Sequence, residues 1–263
     1  MTETVRLEVA DGVATVRLSR PDELNALDLA TKLDLLQALR GVADDPGVRA
    51  VVLTGSGRAF CVGQDLREHA ANLAGQDLDR VWATVPEHYN PIATTLAGMA
   101  KPVVAAVNGI AAGAGASLAF LADYRLVAQS AGFNLAFAGV GLSCDTGSSW
   151  TLPRLVGPTR AMALLLQPRT VPATEALDIG LASEVVADAD FEARTRELAG
   201  SLASGPTLAY AALRRAVAYS ASHTLAESLE LEAELMRTTG SSADHADAVR
   251  AFLARRPPVF AGR

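Results

Sequence analysis

The stretch NGIAAGAGASLAFLAD, residues 108–123, decides the fold class of this 263-residue chain. It is rich in glycine and alanine, and it belongs to a run without a charged residue, from 102 to 122. Three kinds of structure would explain such a run. It would suit a membrane span, a glycine-rich loop that holds phosphate, or a site where backbone N–H groups approach a substrate atom.

The residues around this stretch favour a buried strand, a turn and a buried helix. KPVVAAVNG, residues 101–109, carries β-branched valines and ends at an Asn-Gly turn, and a separate short helix is predicted after Gly113. The run is long enough for a membrane span, and Gly109 and Gly113 have GxxxG spacing, but small residues replace the Leu, Ile and Phe that drive insertion. We therefore expect no membrane partner.

A phosphate loop is a weak explanation. GSGRAF and GAGASL both lack the third glycine of GxGxxG, and the chain has no GxxxxGK[ST] motif. The net charge of -6 argues against nucleic acid as the main partner, because phosphate binding needs a basic surface. These observations favour neither a nucleotide cofactor nor a nucleic acid partner.

The rest of the chain predicts mixed α/β organisation. Apolar residues alternate on either side of Asp11-Gly12, which indicates a hairpin. Asp28 is predicted to cap a helix whose buried face carries Leu29, Leu33, Leu36 and Leu39. Further predicted elements are the strands RAVVLTG (49–55), DYRLVA (123–128) and FNLAF (133–137), a helix from about 78 to 97, and mainly helices after Trp150. Runs of strand, strand and helix indicate a spiral core.

Two regions are predicted, with Pro206 at their boundary. Residues 1–205 would form the mixed core and residues 206–263 an all-helical region. The two cysteines, Cys61 and Cys144, are too few for a disulfide framework, and the first residues lack the basic and apolar segments of a signal peptide. A cytoplasmic location is therefore expected.

The familiar motifs of metal and nucleophile chemistry are absent from the sequence. There is no GxSxG motif, and the four histidines, at 69, 88, 223 and 245, lack metal-ligand spacing. We predict that the histidines lie on the surface or on helix faces and that no metal is bound. Cys61, in AFCVG, is predicted to be a small buried hydrophobic residue rather than a nucleophile.

Two glycine-rich loops remain as candidates for chemistry. GSGRAFCVGQDL, residues 55–66, and NGIAAGAGASL, residues 108–118, each follow a predicted strand. One N–H group from each loop would together hold a developing oxyanion, and a helix that begins near Gly113 would add unpaired N–H donors. Close packing of a small-residue helix against a sheet explains the same composition, so both interpretations stay open at this point.

Six segments, in order along nearly the whole chain, carry a family resemblance: RPDELNALD, GRAFCVGQDL, KPVVAAVNGIAAGAGASLAFLADYRLVA, LPRLVG, TEALDIGLASEVV and AFLARRPPVF. Together they resemble the crotonase superfamily, the enoyl-CoA hydratase/isomerase family. YNPIATTLAGMAKPVVAAVNGIAAGAGASLA and FNLAFAGVGLSCDTGSSWTLPRLVG resemble its 1,2-epoxyphenylacetyl-CoA isomerase branch. The resemblance implies an α/β fold with a ββα spiral core over 1–205 that binds acyl-CoA. It also implies a C-terminal helical trimerisation region over 206–263 that builds homotrimers or dimers of trimers, and no separate cofactor, since coenzyme A belongs to the substrate.

The resemblance also implies where the substrate binds. By position, the oxyanion donors would be the N–H of Gln64 and the N–H of Ala114. Asp65 would mainly hold its loop by hydrogen bonds. The residues implied to contact the substrate are Leu24, Ala26, Val62, Gly63, Asp65, Leu66, Gly113 and Phe137.

The residue implied for acid–base chemistry is Asp145. Hydratases of the family use two glutamates, whose positions hold Ser117 and Phe137 here, whereas the isomerase branch carries one aspartate, which aligns with Asp145. Addition of water needs both a base and an acid, so the resemblance favours an isomerase. A hydratase or hydrolase with water held by Asp145, and a non-catalytic acyl-CoA binder, stay open. On local grounds alone, Asp145 would instead be the N-cap of the following helix.

Contacts to the coenzyme A phosphates are expected from arginines. Asp22 and Glu23 occupy positions where related sequences often carry a basic residue, so Arg20 is a candidate. So are the arginines of the C-terminal segment, Arg250, Arg255, Arg256 and Arg263. That segment often covers the ligand in the family, a part that Phe260 would take here, while Trp82 and Tyr89 would line the acyl pocket or belong to the core.

Overall fold

The computed structural model describes residues 4–75 and 78–263. Its strands are β1 (Val5–Ala10), β2 (Val13–Leu18), β3 (Ala50–Gly55), β4 (Ala59–Cys61), β5 (Val103–Val107), β6 (Ile110–Ala112), β7 (Tyr124–Ala128), β8 (Gly132–Asn134), β9 (Thr170–Pro172) and β10 (Glu184–Val186). Its α-helices are α1 (Leu29–Asp44), α2 (Leu66–Ala74), α3 (Leu78–Trp82), α4 (Asn90–Gly98), α5 (Ala114–Phe120), α6 (Ser148–Val156), α7 (Pro158–Leu166), α8 (Ala173–Asp178), α9 (Phe191–Ala203), α10 (Thr207–Ser220), α11 (Leu225–Gly240) and α12 (Ala243–Leu253).

The strands build two sheets. The larger has the order β1-β2-β3-β5-β7-β10, and the smaller has the order β4-β6-β8-β9. Among the described strands, β1 pairs with β2 and β9 pairs with β8 in antiparallel fashion, and the other neighbours are parallel. Successive strands therefore alternate between the sheets, β3 with β4, β5 with β6 and β7 with β8, and helical segments follow each pair. This is the ββα spiral that the sequence predicts.

The hairpin at the start of the chain is confirmed. β1 and β2 pair from Val5–Leu18 to Ala10–Val13. Asp11 and Gly12 connect them with φ values of 50° and 76°, which is the left-handed conformation that a tight hairpin turn needs. Asp11-Gly12 is therefore the turn that the alternation of apolar residues indicates.

Helix α1 has the predicted cap but a different buried face. The Asp28 carboxylate accepts a hydrogen bond from the Thr31 N–H at 2.8 Å, as a capping residue does. Leu29 and Leu33, however, are 42% and 49% exposed, so the predicted face is wrong for these two residues. The buried face is rotated and consists of Thr31, Lys32, Leu35, Leu36, Leu39 and Val42. Counting apolar residues alone missed this face because it contains a lysine.

The helix predicted from about 78 to 97 is interrupted. α3 ends at Trp82, a π-helix spans Val85–Tyr89, and α4 begins at Asn90. Tyr89 is buried in the core, whereas Trp82 is 43% exposed and lies edge-on to the ring of His69. The core interpretation is therefore right for Tyr89 and wrong for Trp82. β8 likewise ends at Asn134, before the predicted end of its strand.

Helices α10, α11 and α12 form the C-terminal end of the chain. Pro206 lies directly before α10, and the division into two regions at this residue stays a prediction. These helices expose several large apolar side chains, namely Leu213, Val217, Leu225, Met236, Phe252 and Leu253. Over the residues that the structure describes, no helix has both the length and the apolar character that crossing a bilayer requires.

Candidate active site

The two glycine-rich loops meet where β4 and β6 end. These strands are parallel neighbours, so the chain that leaves β4 runs beside the chain that leaves β6. Gly63 has φ +85°, and a Cβ atom on it would lie 2.9 Å from the Ala112 carbonyl oxygen and 3.1 Å from the Ala114 nitrogen. The backbone before Gln64 therefore touches the first residue of α5.

Helix α5 rests with its main chain directly on β4. A Cβ atom on Gly115 would overlap the Cys61 carbonyl oxygen, so only glycine fits there. Close packing of a small-residue helix is therefore real. It does not compete with the donor interpretation, because the same packing brings the Ala114 N–H beside the Gly63–Gln64 segment.

The peptide of Gln64 is fixed by a parallel bridge to Leu27. The Leu27 N–H donates to the Gly63 carbonyl at 2.7 Å, and the Asp65 N–H donates to the Leu27 carbonyl at 3.1 Å. In a parallel bridge, the residue between these two bonds directs its own N–H away from the partner strand. The Ala114 N–H, at the first position of α5, has no partner within its helix. Neither N–H group has an acceptor among the described residues.

Asp65 and Arg20 hold the first loop in place. The Asp65 carboxylate caps α2 by accepting from the N–H groups of Arg67 and Glu68 at 3.0 and 3.2 Å, and it accepts from Arg20 at 3.0 Å. Burial alone would raise the pKa of Asp65, but these hydrogen bonds outweigh it and lower the pKa. Arg20 also donates to the Ala26 carbonyl at 2.6 Å. Its guanidinium thus ties the loop together, and contact of Arg20 with a phosphate stays a prediction.

A buried polar cluster lies behind Gln64, and the sequence analysis missed it. Lys32 is 2% exposed; its ammonium group donates to Gln64 Oε1 at 3.2 Å and to Thr84 Oγ1 at 2.8 Å. The Tyr89 hydroxyl donates to the same Gln64 oxygen at 2.7 Å. Burial lowers the pKa of Lys32, and the nearby Glu68 carboxylate opposes the shift. The composition sets Lys32 and Lys101 apart as the only two lysines among 23 lysines and arginines, but it does not show that they are buried.

Asp145 lies in the loop before α6 and does not cap that helix. Gly147 is the N-cap residue, and no described side chain caps α6, so the N-cap interpretation is wrong. The Asp145 carboxylate instead accepts a hydrogen bond from the Thr146 hydroxyl at 2.9 Å. Burial raises the pKa of Asp145, while the Thr146 hydroxyl and the charge of Lys32 act in the opposite direction. A carboxyl group with a raised pKa is suited to proton transfer.

The backbone beside Asp145 is strained. Thr146 is buried and has φ 51°, which is unusual for a β-branched residue. Such strain persists only where surrounding contacts impose it, and it often occurs at functional sites. The conformation of Thr146 brings its hydroxyl group onto the carboxylate of the preceding residue.

The two positions that hold glutamates in hydratases of the resembling family carry no charge. Ser117 is fully buried; its hydroxyl donates to the Gly113 carbonyl at 3.1 Å and lies 2.5 Å from the Ser148 hydroxyl. Phe137 is also buried. Residues 117 and 137 therefore offer a hydroxyl pair and an aromatic ring, and neither can accept a proton near neutral pH.

The other residues predicted to contact the substrate lie in the two glycine-rich loops and in the segments next to them. The bridge between Leu27 and Gln64 brings the segment with Leu24 and Ala26 beside the loop with Val62, Gly63, Asp65 and Leu66. The N–H of Gly113 donates to the Asn134 carbonyl at 2.9 Å, which ties the start of α5 to the strand that precedes Phe137. The structure thus brings together segments far apart in the sequence, while contact with a substrate stays a prediction.

The C-terminal segment lies elsewhere. The Phe260 carbonyl accepts a hydrogen bond from Arg49 at 2.9 Å, and the Asp244 carboxylate accepts from the N–H groups of Ala261 and Gly262 at 2.7 and 2.8 Å. Arg49 directly precedes β3, whereas the candidate site lies beyond the opposite end of the neighbouring strands. Phe260 is therefore held beside Arg49, and coverage of a ligand by this segment stays a prediction.

Cys61 is buried, as predicted, and the histidines lie on the surface or on helical segments, with His223 and His245 exposed and His69 and His88 half-buried. Cys61 is fully buried, and burial raises the pKa of its thiol to about 12, which confirms a hydrophobic rather than a nucleophilic role. His223 stacks on Tyr219 at the surface with 3.5 Å between the ring centroids. Over residues 4–75 and 78–263, no three His, Cys, Asp or Glu side chains have the geometry of a metal site.

Comparison with known proteins places this geometry in a family. The family model described as enoyl-CoA hydratase/isomerase matches residues 8–263. A "Probable enoyl-CoA hydratase" of Rhodobacter capsulatus is 46% identical over 260 residues, which cover 99% of this chain and 98% of that protein. The 1,2-epoxyphenylacetyl-CoA isomerase of Escherichia coli is 39% identical over 263 residues, the full length of both chains.

A solved structure agrees with the fold. The crystal structure of a "putative Enoyl-CoA hydratase/isomerase" from Mycobacterium abscessus superimposes with a TM-score of 0.95 at 44% identity, over 98% of this chain and 100% of that one. The predicted α/β spiral core followed by C-terminal helices is thereby confirmed. Sequence, fold and full-length relatives agree, and the chain belongs to the enoyl-CoA hydratase/isomerase family, the crotonase superfamily.

Proposed function

We propose that this chain is an acyl-CoA isomerase that shifts a double bond, or a ring epoxide, of a coenzyme A thioester through an enolate. The N–H groups of Gln64 and Ala114 hold the thioester oxygen, and Asp145 moves the proton. The main support for this proposal is that position 145 holds a carboxyl group, whereas positions 117 and 137 hold none. Burial raises the pKa of the Asp145 carboxyl group, while Ser117 and Phe137 supply no second carboxylate.

The proposed step balances without a co-reactant. For a 3-enoyl thioester, Asp145 takes a proton from the carbon next to the carbonyl, and the electron pair moves to the thioester oxygen as a dienolate. The same carboxylic acid then returns the proton to the far carbon of the former double bond. Two preformed N–H donors stabilise the oxyanion. In comparable sites, loss of one such donor raises the activation free energy by about 3 kcal/mol.

A direct assay tests the isomerase proposal. The chain is incubated with a 3-enoyl-CoA and, separately, with crotonyl-CoA, and the products are separated by chromatography. We expect conversion of the 3-enoyl-CoA to a 2-enoyl-CoA with little hydration of crotonyl-CoA. Formation of 3-hydroxyacyl-CoA from crotonyl-CoA at the higher rate would contradict the proposal.

A hydratase is the second candidate, because a relative at 46% identity is named as one. In that case Asp145 would hold and activate the water, and the return of a proton to carbon would need a second acid. A hydrolase with water held by Asp145 would instead release free coenzyme A. Binding of acyl-CoA without turnover on any of these substrates would identify a non-catalytic binder.

We also propose that α10, α11 and α12 join copies of this chain into a trimer or a dimer of trimers. Their exposed apolar side chains, among them Val217 at 71% and Phe252 at 81%, are unfavourable in water and would be covered by such contacts. Light scattering coupled to size-exclusion chromatography measures the mass directly. A mass of three or six chains supports the proposal, and a stable monomer contradicts it.

A further inference from the structure

The side chain of Gln64 is held at both of its polar atoms. Its Oε1 atom accepts from the Tyr89 hydroxyl at 2.7 Å and from the Lys32 ammonium group at 3.2 Å. Its Nε2 atom makes longer contacts, at 3.4 Å to the Asp65 carbonyl and at 3.5 Å to Glu68 Oε1. The backbone of the same residue is fixed by the bridge to Leu27. Gln64 is therefore restrained on its side chain and on its main chain.

Lys32 is an unusual residue to find inside this contact. Its position belongs to the buried stripe of α1, whose other members are Thr31 and apolar residues. Removing an ammonium group from water costs several kcal/mol unless hydrogen bonds and an opposite charge compensate. Glu68, at 3.8 Å, supplies the opposite charge, and Gln64 and Thr84 accept the hydrogen bonds.

We propose that Lys32 and Tyr89 are positioning residues, which hold the Gln64 side chain and thereby keep the Gln64 N–H directed at the substrate oxygen. The inference rests on the proposed function, since it assigns a task to residues around the proposed oxyanion donor. A shift of the Gln64 main chain would carry its side chain along and break the hydrogen bonds from Tyr89 and Lys32. The two residues therefore oppose the reorganisation that a preformed oxyanion site must avoid.

Several charged or titratable groups face this cluster, including the Cys61 thiol beside Tyr89 and the His88 ring, which lies 3.2 Å from Thr84 Oγ1. Lys32 on α1 faces Glu68 on α2, Asp28 at the start of its own helix and Asp65 in the loop. Tyr89 faces Asp145 and Glu68, and its hydroxyl stays protonated because burial raises its pKa. Lys32 also lowers the pKa of Asp145, so loss of its charge raises that pKa further. A substitution of Lys32 thus affects the oxyanion donor and, separately, the pH dependence of Asp145.

The first test measures how strongly a bound thioester is polarised. Difference infrared spectroscopy records the carbonyl stretch of a saturated acyl-CoA, labelled with carbon-13 at the thioester carbonyl, free and bound to the protein. Wild-type protein should move this band to lower frequency, because hydrogen bonds weaken the C=O bond. Lys32→Met and Tyr89→Phe should each lose a large part of this shift while the dissociation constant changes by less than about threefold.

The second test measures turnover. With a 3-enoyl-CoA, both variants should lose about tenfold to a hundredfold in kcat with little change in KM, as when a transition-state contact is weakened. The acid side of the kcat profile should move to higher pH in Lys32→Met and much less in Tyr89→Phe, which keeps the Lys32 charge. A purely structural role for Lys32 would lower thermal stability without this separation of the two profiles.

Lys101 provides a matched control. It is the other lysine of the chain, is 6% exposed, and donates to the Val42 and Asp45 carbonyls near the C-terminal end of the same helix, both at 2.5 Å. Lys101→Met also removes a buried ammonium group with two hydrogen bonds. We expect it to lower the melting temperature but to leave the carbonyl frequency and kcat at the wild-type values.

A coupling experiment separates positioning from other effects. Gln64→Met keeps the peptide N–H but removes the oxygen that Lys32 and Tyr89 hold, so Lys32→Met should cause little further change in carbonyl frequency in that background. If Lys32→Met does not fold, Tyr89→Phe carries the same comparison. Unchanged carbonyl frequencies in the variants would overturn the inference, and so would the absence of any shift in the wild type. A shift that depends on Lys32, together with no turnover, would overturn only the proposed reaction.

Discussion

Asp145 owes its proposed role to its immediate neighbours rather than to its identity. Burial disfavours its charged form and raises its pKa, while the Thr146 hydroxyl and the Lys32 ammonium group favour the charged form. A carboxyl group with a raised pKa is a stronger base than an ordinary aspartate and holds more firmly the proton that it takes. The role proposed for Asp145 therefore depends on these few contacts.

Asp145→Asn removes the base and nearly preserves its shape. We expect kcat with a 3-enoyl-CoA to fall by at least about a hundredfold, because positioned proton transfer contributes rate factors of this size. Acyl-CoA binding, measured by calorimetry, should stay within a few-fold of the wild type. Full activity of this variant would remove Asp145 from the mechanism.

The same substitution tests the sign of the pKa shift through stability. A carboxyl group whose pKa is raised by folding stabilises the fold when protonated, and this contribution is lost as the pH rises through the folded pKa. Asp145→Asn should therefore melt no lower than wild type at neutral pH, and its advantage should shrink at acidic pH. A lower melting point for the variant at neutral pH would contradict the raised pKa.

Thr146 should set the pH at which activity begins. Thr146→Val keeps the shape of the side chain and removes the hydroxyl that lowers the Asp145 pKa. The acid side of the kcat profile should move to higher pH, with activity at alkaline pH largely kept. A profile that coincides with wild type would show that this hydrogen bond does not act on the base.

At the scale of the element, the contact of α5 with β4 fixes the distance between the two loops. Gly115→Ala places a methyl group against the Cys61 carbonyl and must push α5 away. We expect a loss of about 1–3 kcal/mol in the free energy of unfolding, measured in urea, together with a clear fall in kcat. Gly41→Ala is the control, because Gly41 lies in α1 with open space around it, and it should be neutral or slightly stabilising.

The sequence predicts those elements whose turns and caps are formed by residues next to them in the chain. It does not predict features that depend on contacts between distant segments. The Asp11-Gly12 turn, the Asp28 cap and the start of α5 at Gly113 follow from residues that act on their own backbone. The π-helix before α4 and the burial of Lys32 depend on partners from distant segments. A lysine in a helix is expected in solvent, so the cluster behind Gln64 stayed hidden, and the two proposed donors came from the family resemblance.

At the scale of the whole molecule, the exposed apolar side chains of α10 and α12 bear on assembly. Leu213→Glu and Phe252→Glu should each shift the mass measured by light scattering toward smaller species, because a charge would be buried in the proposed contact. Arg196→Glu, on the exposed surface of α9, is the control and should leave the mass unchanged. If all variants have the mass of the wild type, the contact between chains does not involve Leu213 or Phe252.

The main chain of α5 packs directly against the main chain of β4 and of the loop that follows it. The two N–H groups that we propose as donors are therefore aligned by glycines, Gly63 and Gly115. In this chain the carboxyl group comes from another segment, at Asp145, while positions 117 and 137 carry none. In the proposed mechanism, an exchange at position 117, 137 or 145 would change the groups that transfer protons and would leave the two N–H groups in place. A scaffold of this kind acquires new reactions by relocating carboxylates around one activated carbonyl, without rebuilding the frame that activates it.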